Sequence, residues 1–301
     1  MKKFKSYLFL FLRIFITISI LYILFKKSDF EKLKNIFKKI SFPYYILALL
    51  SFNTFQVLVA LRWKFICESW GFRTKYFFYL KTYLMGYSLN TVFPGIIGSD
   101  ILRTFFLTKE GLNWKKASLS VFFDRMFGLL GIFLILLWSL PLFGNFLPYK
   151  FYSFLLYLVY GTLLAAILAN IIILIILKFY SPEYLQPILF PHNIKPLFLG
   201  FIIQTLFVLQ FIFLGKALHL NLNFIYFFVI IPVVSFLAAL PLSISGLGIR
   251  EGTLSYFLSL LHCSLEYGIS LGLLGYSLIL LSSLPGLYFY LKEKSLWKQA
   301  S

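Results

Sequence analysis

The chain has 301 residues, 60% of them hydrophobic and only 13% charged, with a mean hydropathy of +0.89. That balance excludes an ordinary soluble domain, and the apolar runs far outlast the alternating segments of about ten residues that build a membrane β-barrel. The net charge of +18 is concentrated in residues 1–150, with 21 Lys/Arg against 6 Asp/Glu, whereas residues 151–301 carry 7 against 4. These cations flank apolar spans and form no solvated basic domain, which points to anionic headgroups or to topology-setting charge and away from nucleic acid.

In chain order, the first span falls at 7–25. Lys2, Lys3 and Lys5 before it imitate a signal peptide, but the run contains Arg13 and has no small-residue cleavage site, so it reads as an uncleaved helix. In the lysine-rich segment that follows, Phe30, Leu33, Ile36, Phe37 and Ile40 recur at spacings of three and four, the pattern of an amphipathic helix at the interface. A second span at 44–61 ends in Arg62-Trp63-Lys64, which reads as an interfacial anchor of an aromatic between cations. The third, at 76–93, is unusually polar, with Lys81, Tyr83, Tyr87, Ser88 and Asn90. The fourth, at 118–144, holds Asp124-Arg125, and further spans are predicted at 152–178, 196–216, 223–240 and 267–291, with a proline-rich loop over 180–195. The fold class expected is all-α: a polytopic membrane protein of about eight transmembrane helices in one integral membrane domain, 1–301.

Two Gly/Pro-broken segments interrupt this pattern. Each has a proline, then glycines, then an arginine nine positions after the proline: Pro94 to Arg103 and Pro241 to Arg250. Each also has a carboxylate close to its arginine, Asp100 and Glu251. Broken backbone is not tolerated against lipid, so both segments are expected to be re-entrant and to meet in a polar cavity. Matching breaks in two halves of a chain mark the central site of a transporter, here implying parallel halves, 1–150 and 151–301. The chemistry would be phosphate binding. Arg103 and Arg250 offer planar forks of donors, Asn90 lies just before the first break, and Gly98, Gly246 and Gly248 let backbone N–H groups approach an anion. Asp100, Asp124 and Glu251 would keep Arg103, Arg125 and Arg250 paired when no lipid is bound. The alternative is that these are buried ion pairs that only join helices.

Cys67 and Cys263 read as small buried hydrophobes, and His192, His219 and His262 do not cluster at ligand spacing, so neither a metal nor another cofactor is expected. No Ser–His–Asp order, HExxH or GxGxxG is present.

At these same residues the chain resembles the lysylphosphatidylglycerol synthase transmembrane-region family, flippase-like proteins that include the membrane half of the multiple peptide resistance factor. The likeness is carried by Arg62-Trp63, by Asn90 through Pro94-Gly95 to Gly98-Ser99-Asp100 and Arg103, by Asp124-Arg125, and by Gly246-Leu-Gly248-Ile-Arg250-Glu251-Gly252. Ser99 stands where the family has Gly, and Asp124 where it has Glu. The resemblance implies a lipid translocase of a prokaryotic cytoplasmic membrane, lacking the soluble synthase domain. Its cargo would be an anionic phospholipid, an aminoacyl-phospholipid or a polyprenyl-phosphate glycolipid. The alternatives are a membrane transferase, the membrane subunit of a lysyltransferase or lipid-linked-sugar synthase working with a separate enzyme, and a cell-envelope scaffold.

Overall fold

The computed structural model describes residues 2–92, 96–176, 183–239, 243 and 246–299, 86% of the chain being helical with no strand among the described residues. Among the described residues eleven α-helices follow one another: α1 (Lys2–Lys27), α2 (Phe30–Lys38), α3 (Phe42–Glu68), α4 (Tyr76–Val92), α5 (Ile96–Lys109), α6 (Trp114–Phe143), α7 (Tyr149–Ile176), α8 (Ile194–Ala217), α9 (Phe227–Ala239), α10 (Ile249–Leu260) and α11 (Leu265–Gln299). Short 3-10 turns at Gly144–Phe146, Glu183–Ile188 and Phe224–Tyr226 join them.

Within the described residues, α3, α6, α7, α8 and α11 are long and apolar enough to cross a membrane, and the segment Phe224–Ala239 is a shorter apolar piece. Of the expected spans, α4 has 17 residues and α1 has 26. The two predicted breaks open short helices of 14 residues in α5 and 12 in α10. At 1.5 Å per residue neither covers the roughly 30 Å of a hydrocarbon core. Pro94, Gly95, Pro241 and Leu242, the breaks themselves, lie outside the described residues.

Local chemistry sets several boundaries. Asp29 caps α2, its carboxylate accepting from the N–H groups of Glu31 (2.9 Å) and Lys32 (3.1 Å). The apolar face of α2 docks on α11 with Leu33 buried, while Phe30 stays outside. Seven residues past the predicted end, α3 runs on to Glu68 and closes with a Lys64–Glu68 pair one turn apart (3.2 Å).

The helix contacts obey an exchange rule. With α3 swapped for α8, α4 for α9, α5 for α10 and α6 for α11, each neighbouring pair among these eight helices maps onto another neighbouring pair. Thus α4 packs on α11 as α9 packs on α6, α5 lies between α4 and α6 as α10 lies between α9 and α11, and α3 lies against α8 at the centre. A duplicated four-helix unit related by a two-fold operation gives such a pattern. The apolar core follows it, filled by buried side chains of α3, α6, α8, α9, α10 and α11 such as Phe52, Phe133, Phe211, Phe227, Phe257 and Leu278.

The tightest approach in the core is between α6 and α8. A Cβ on Gly200 would sit 2.6 Å from the carbonyl oxygen of Phe127, and one on Gly131 would strike the carbonyl of Gly200. Gly200→Val is therefore expected to push α8 off α6 and to cost about 3 kcal/mol or more, since backbone cannot yield as a side chain can. A fall in melting temperature of the detergent-solubilised protein checks it.

Candidate functional site

The polar interior is built by α3, α4, α5, α6, α10 and α11. Its centre is Asp124, on α6 and 3% exposed. One carboxylate oxygen accepts from Arg62 Nε (2.8 Å) and the other from Arg103 Nη2 (2.9 Å). Arg62 comes from α3 and Arg103 from α5, so the carboxylate ties three helices together. The guanidinium of Arg103 lies 4.1 Å from the Trp63 ring centroid and 5.7 Å from that of Tyr83, held by cation–π attraction. Trp63 is in turn fixed by its indole N–H donating to Ser120 Oγ (2.9 Å). The Arg62 fork passes over α6 and α8 where those helices lack side chains, at Gly128 and Gly200.

These positions correct several expectations. Arg62 and Trp63 are not an interfacial anchor: they are 4% and 0% exposed, because α3 continues past them and turns both side chains inward to partners on α6. The pairing of carboxylates is also exchanged. Asp124 holds Arg103 rather than Arg125, and Asp100 holds Arg125 (2.9 Å) rather than Arg103. Helices α5 and α6 are therefore cross-stitched by two ion pairs of opposite polarity, one buried and one open to the surroundings. The outer pair lines a groove of about 470 Å³ between α5 and α6. Its arginine side chain is 48% exposed, so Asp100→Asn is expected to lower stability by less than about 1 kcal/mol, read from a thermal melt.

In the second half, Arg250 Nε donates to Glu251 Oε1 (3.2 Å), as the sequence led one to expect. Glu251 is fully buried and does a second job: its Oε2 accepts from the Gly248 N–H at 2.6 Å, the carboxylate half of a capping box at the start of α10, glycine having no side chain to return the bond. The N–H of Gly248 is thus committed to Glu251 and not offered to an external anion. Gly248 has φ +81°, which only glycine adopts without strain, and this turn aims the carboxylate back at the helix start. Gly246, with φ +75°, supplies the carbonyl that accepts from Arg250 N (2.9 Å). Arg250 Cζ stands 5.8 Å from the ring of Tyr276 on α11, where the first half has Asp124 on α6. Gly98 lies in the first turn of α5 beside open space. Arg13, from α1, donates to the carbonyl of Ser243 (3.0 Å) and ties α1 to the segment that precedes α10.

Helices α5 and α10 have different main neighbours, and the two arginine sites are linked through α4. Tyr83 and Tyr87, one turn apart, stack at 6.2 Å; Tyr83 faces Arg103, and Tyr87 lies within the electrostatic reach of Arg250, with Gln56 beside it. The polarity of this helix is visible in Lys81, Tyr83, Tyr87, Ser88 and Asn90, but its role as a bridge is not. Several buried atoms around the bridge have no hydrogen-bond partner among the described residues: Arg62 Nη1, Arg103 Nε, Arg250 Nη2 and Gln56 Nε2 are all donors, and Asn90 Oδ1 is an acceptor. A cleft of about 880 Å³ lined mainly by α6 and α7 is apolar, and none of these arginines or carboxylates borders it. Among the described residues no three His, Cys, Asp or Glu side chains converge as metal ligands.

Residues 10–286 match the family described as the lysylphosphatidylglycerol synthase transmembrane region. The chain belongs to that family. No curated protein matches it in sequence. Membership in the lysylphosphatidylglycerol synthase transmembrane-region family, with apolar helices of spanning length, makes it a multi-pass membrane protein of lipid-related function.

Proposed function

We propose that this protein is a flippase-like translocase that moves an anionic lipid between leaflets: a phospholipid, an aminoacyl-phospholipid or a polyprenyl-phosphate glycolipid. The observation that carries the reading is the sharing of one buried carboxylate, Asp124, by two buried arginines. Among the described residues, together with the Arg250–Glu251 pair, this leaves the bridged interior with one positive charge in excess and with unpartnered donors on all three arginines. An uncompensated cation inside a membrane protein costs several kcal/mol, and a phosphate arriving there removes that cost.

Arg103 is the group that can change partner. When a phosphate oxygen replaces Asp124 at its Nη2, Asp124 keeps Arg62 and no carboxylate is left unpaired. The headgroup then has the Tyr83–Tyr87 bridge beside it and Arg250 at the far end, while the lipid tails stay in hydrocarbon. The driving force is a gradient or facilitated equilibration. A metal-dependent transferase fits less well, because the carboxylates it would need, Asp100 and Asp124, are each committed to arginine.

The test is fluorescent-lipid scrambling by purified protein in proteoliposomes. Arg103→Gln is expected to lower the rate at least about tenfold, the worth of one charge-assisted hydrogen bond, while the melting temperature stays close to the parent. An unchanged rate overturns the role of Arg103. Tolerance of alanine at all of Arg103, Arg125, Arg250, Asp100, Asp124 and Glu251 would leave the scaffold reading in its place.

A further inference from the structure

On the far side of α5 from the Asp124 cluster, three concavities join into one trough. At the chain's basic end, a pocket of about 550 Å³ is bordered by Arg73, Lys75 and Glu110. It shares Lys75, Phe78 and Glu110 with a second pocket of about 310 Å³, where Lys81, Lys109 and Glu293 also converge. That pocket shares Phe106 and Glu293 with a third hollow of about 400 Å³, which is apolar and runs along α5 from Gly98 past Leu102 and Phe105. Ile101 and Phe105 form the ridge between this hollow and the groove that reaches the Asp100–Arg125 pair.

The trough therefore has a cationic end and an apolar body. The described residues lining the two joined pockets include four cations, Arg73, Lys75, Lys81 and Lys109, and two carboxylates, Glu110 and Glu293, an excess of positive charge. Lys81 bonds Glu293, which pins the start of α4 to α11 and fixes the floor. Three of these cations stand at helix ends, Arg73 and Lys75 just before α4 and Lys109 as the last residue of α5, and Lys81 lies in the second turn of α4. Helix ends are where a membrane protein meets headgroups. From Gly98 to Phe106 the apolar hollow follows α5 for about 12 Å, room for much of one acyl chain.

We propose that this trough is a docking site for a phosphate-bearing lipid, with the phosphate on Lys75, Lys81 and Lys109 and one hydrocarbon chain along the Gly98–Phe106 face of α5. The charge excess selects an anionic headgroup, and the apolar hollow continuous with it selects a lipid over a free phosphate. Ligand held here lies one ridge away from the Asp100–Arg125 pair, so the trough serves as the loading station of the translocase. The loading role rests on the transport reading; the binding itself does not.

The experiment is native mass spectrometry of the full-length protein released from nanodiscs made of equal parts phosphatidylglycerol and phosphatidylcholine. The wild-type protein is expected to retain phosphatidylglycerol over phosphatidylcholine by about fivefold or more, the worth of one well-placed lysine near a phosphate. Lys75→Gln with Lys109→Gln should bring that ratio to the bulk value. Gly98→Phe fills the hollow, since nothing lies within 4 Å of a Cβ built there, and should lower the total lipid retained while circular dichroism stays unchanged. A bulk ratio in the wild type overturns the proposal. Retention unaltered by the lysine pair overturns it as well, and so does competition by inorganic phosphate that Gly98→Phe leaves untouched. If the wild-type protein scrambles no lipid in proteoliposomes but trough binding persists, the translocase reading fails and the lipid site stands.

Discussion

Asp124→Ala is expected to be the most damaging single change in the polar interior. The carboxylate is 3% exposed and pairs with both Arg62 and Arg103. Its removal leaves two guanidinium groups buried without a counter-charge. Breaking one buried pair in this way costs roughly 3–5 kcal/mol, because the remaining ion keeps its desolvation penalty and loses its compensation. Here two are stranded, and their mutual repulsion adds to the loss. The expected result is little or no folded protein in detergent. Asp124→Asn tests the electrostatic cause separately, since it keeps the shape and one acceptor but not the charge, and it should be nearly as harmful. Combining Asp124→Asn with Arg62→Gln and Arg103→Gln removes the three charges together and should recover much of the yield. Melting temperature and size-exclusion profile give the answer; a Asp124→Asn variant that melts like the parent would show that the shared carboxylate does not hold α3, α5 and α6 together.

The helices were legible in the sequence because long apolar runs with cationic flanks have few other readings in a membrane protein. The starts of two short helices were legible as well: α5 begins at Ile96 and α10 at Ile249, each just after a Gly/Pro-rich stretch of sequence. Partner choice was not legible. Asp124 and Arg125 are adjacent in the chain, but neighbouring residues on a helix point about 100° apart and cannot pair well. Asp100 and Arg103 share a face of α5 and could have paired, yet α6 offers each of them a partner of opposite sign. The case of Arg62 turns on a helix end. A cation beside tryptophan after an apolar run has the composition of an interface, and only the continuation of α3 to Glu68 places it inside. Glu251 kept its neighbour Arg250 for a local reason: at the third position of α10 its side chain folds back to the helix start, which brings it beside the arginine's Nε.

That double role makes Glu251 the second sensitive position, and its two parts can be separated. Glu251→Ala removes both the counter-charge of Arg250 and the acceptor of the Gly248 N–H. The lost cap is worth about 1 kcal/mol and the stranded arginine roughly 3–5 kcal/mol. Glu251→Gln retains an amide oxygen that can accept from Gly248, so it should lose the charge contribution and little of the cap. The difference in stability between the two variants then measures the cap alone, and should be small compared with the loss that both share. Adding Arg250→Met to Glu251→Gln removes the stranded cation and should restore most of the stability without restoring transport, because the far arginine of the proposed path is gone. Urea or thermal unfolding in detergent gives the first comparison and lipid scrambling the second. If Glu251→Gln is as stable as the parent, burial of Arg250 does not depend on its carboxylate. If the double variant transports at the parental rate, Arg250 does not contact the headgroup, and the path ends at Arg103.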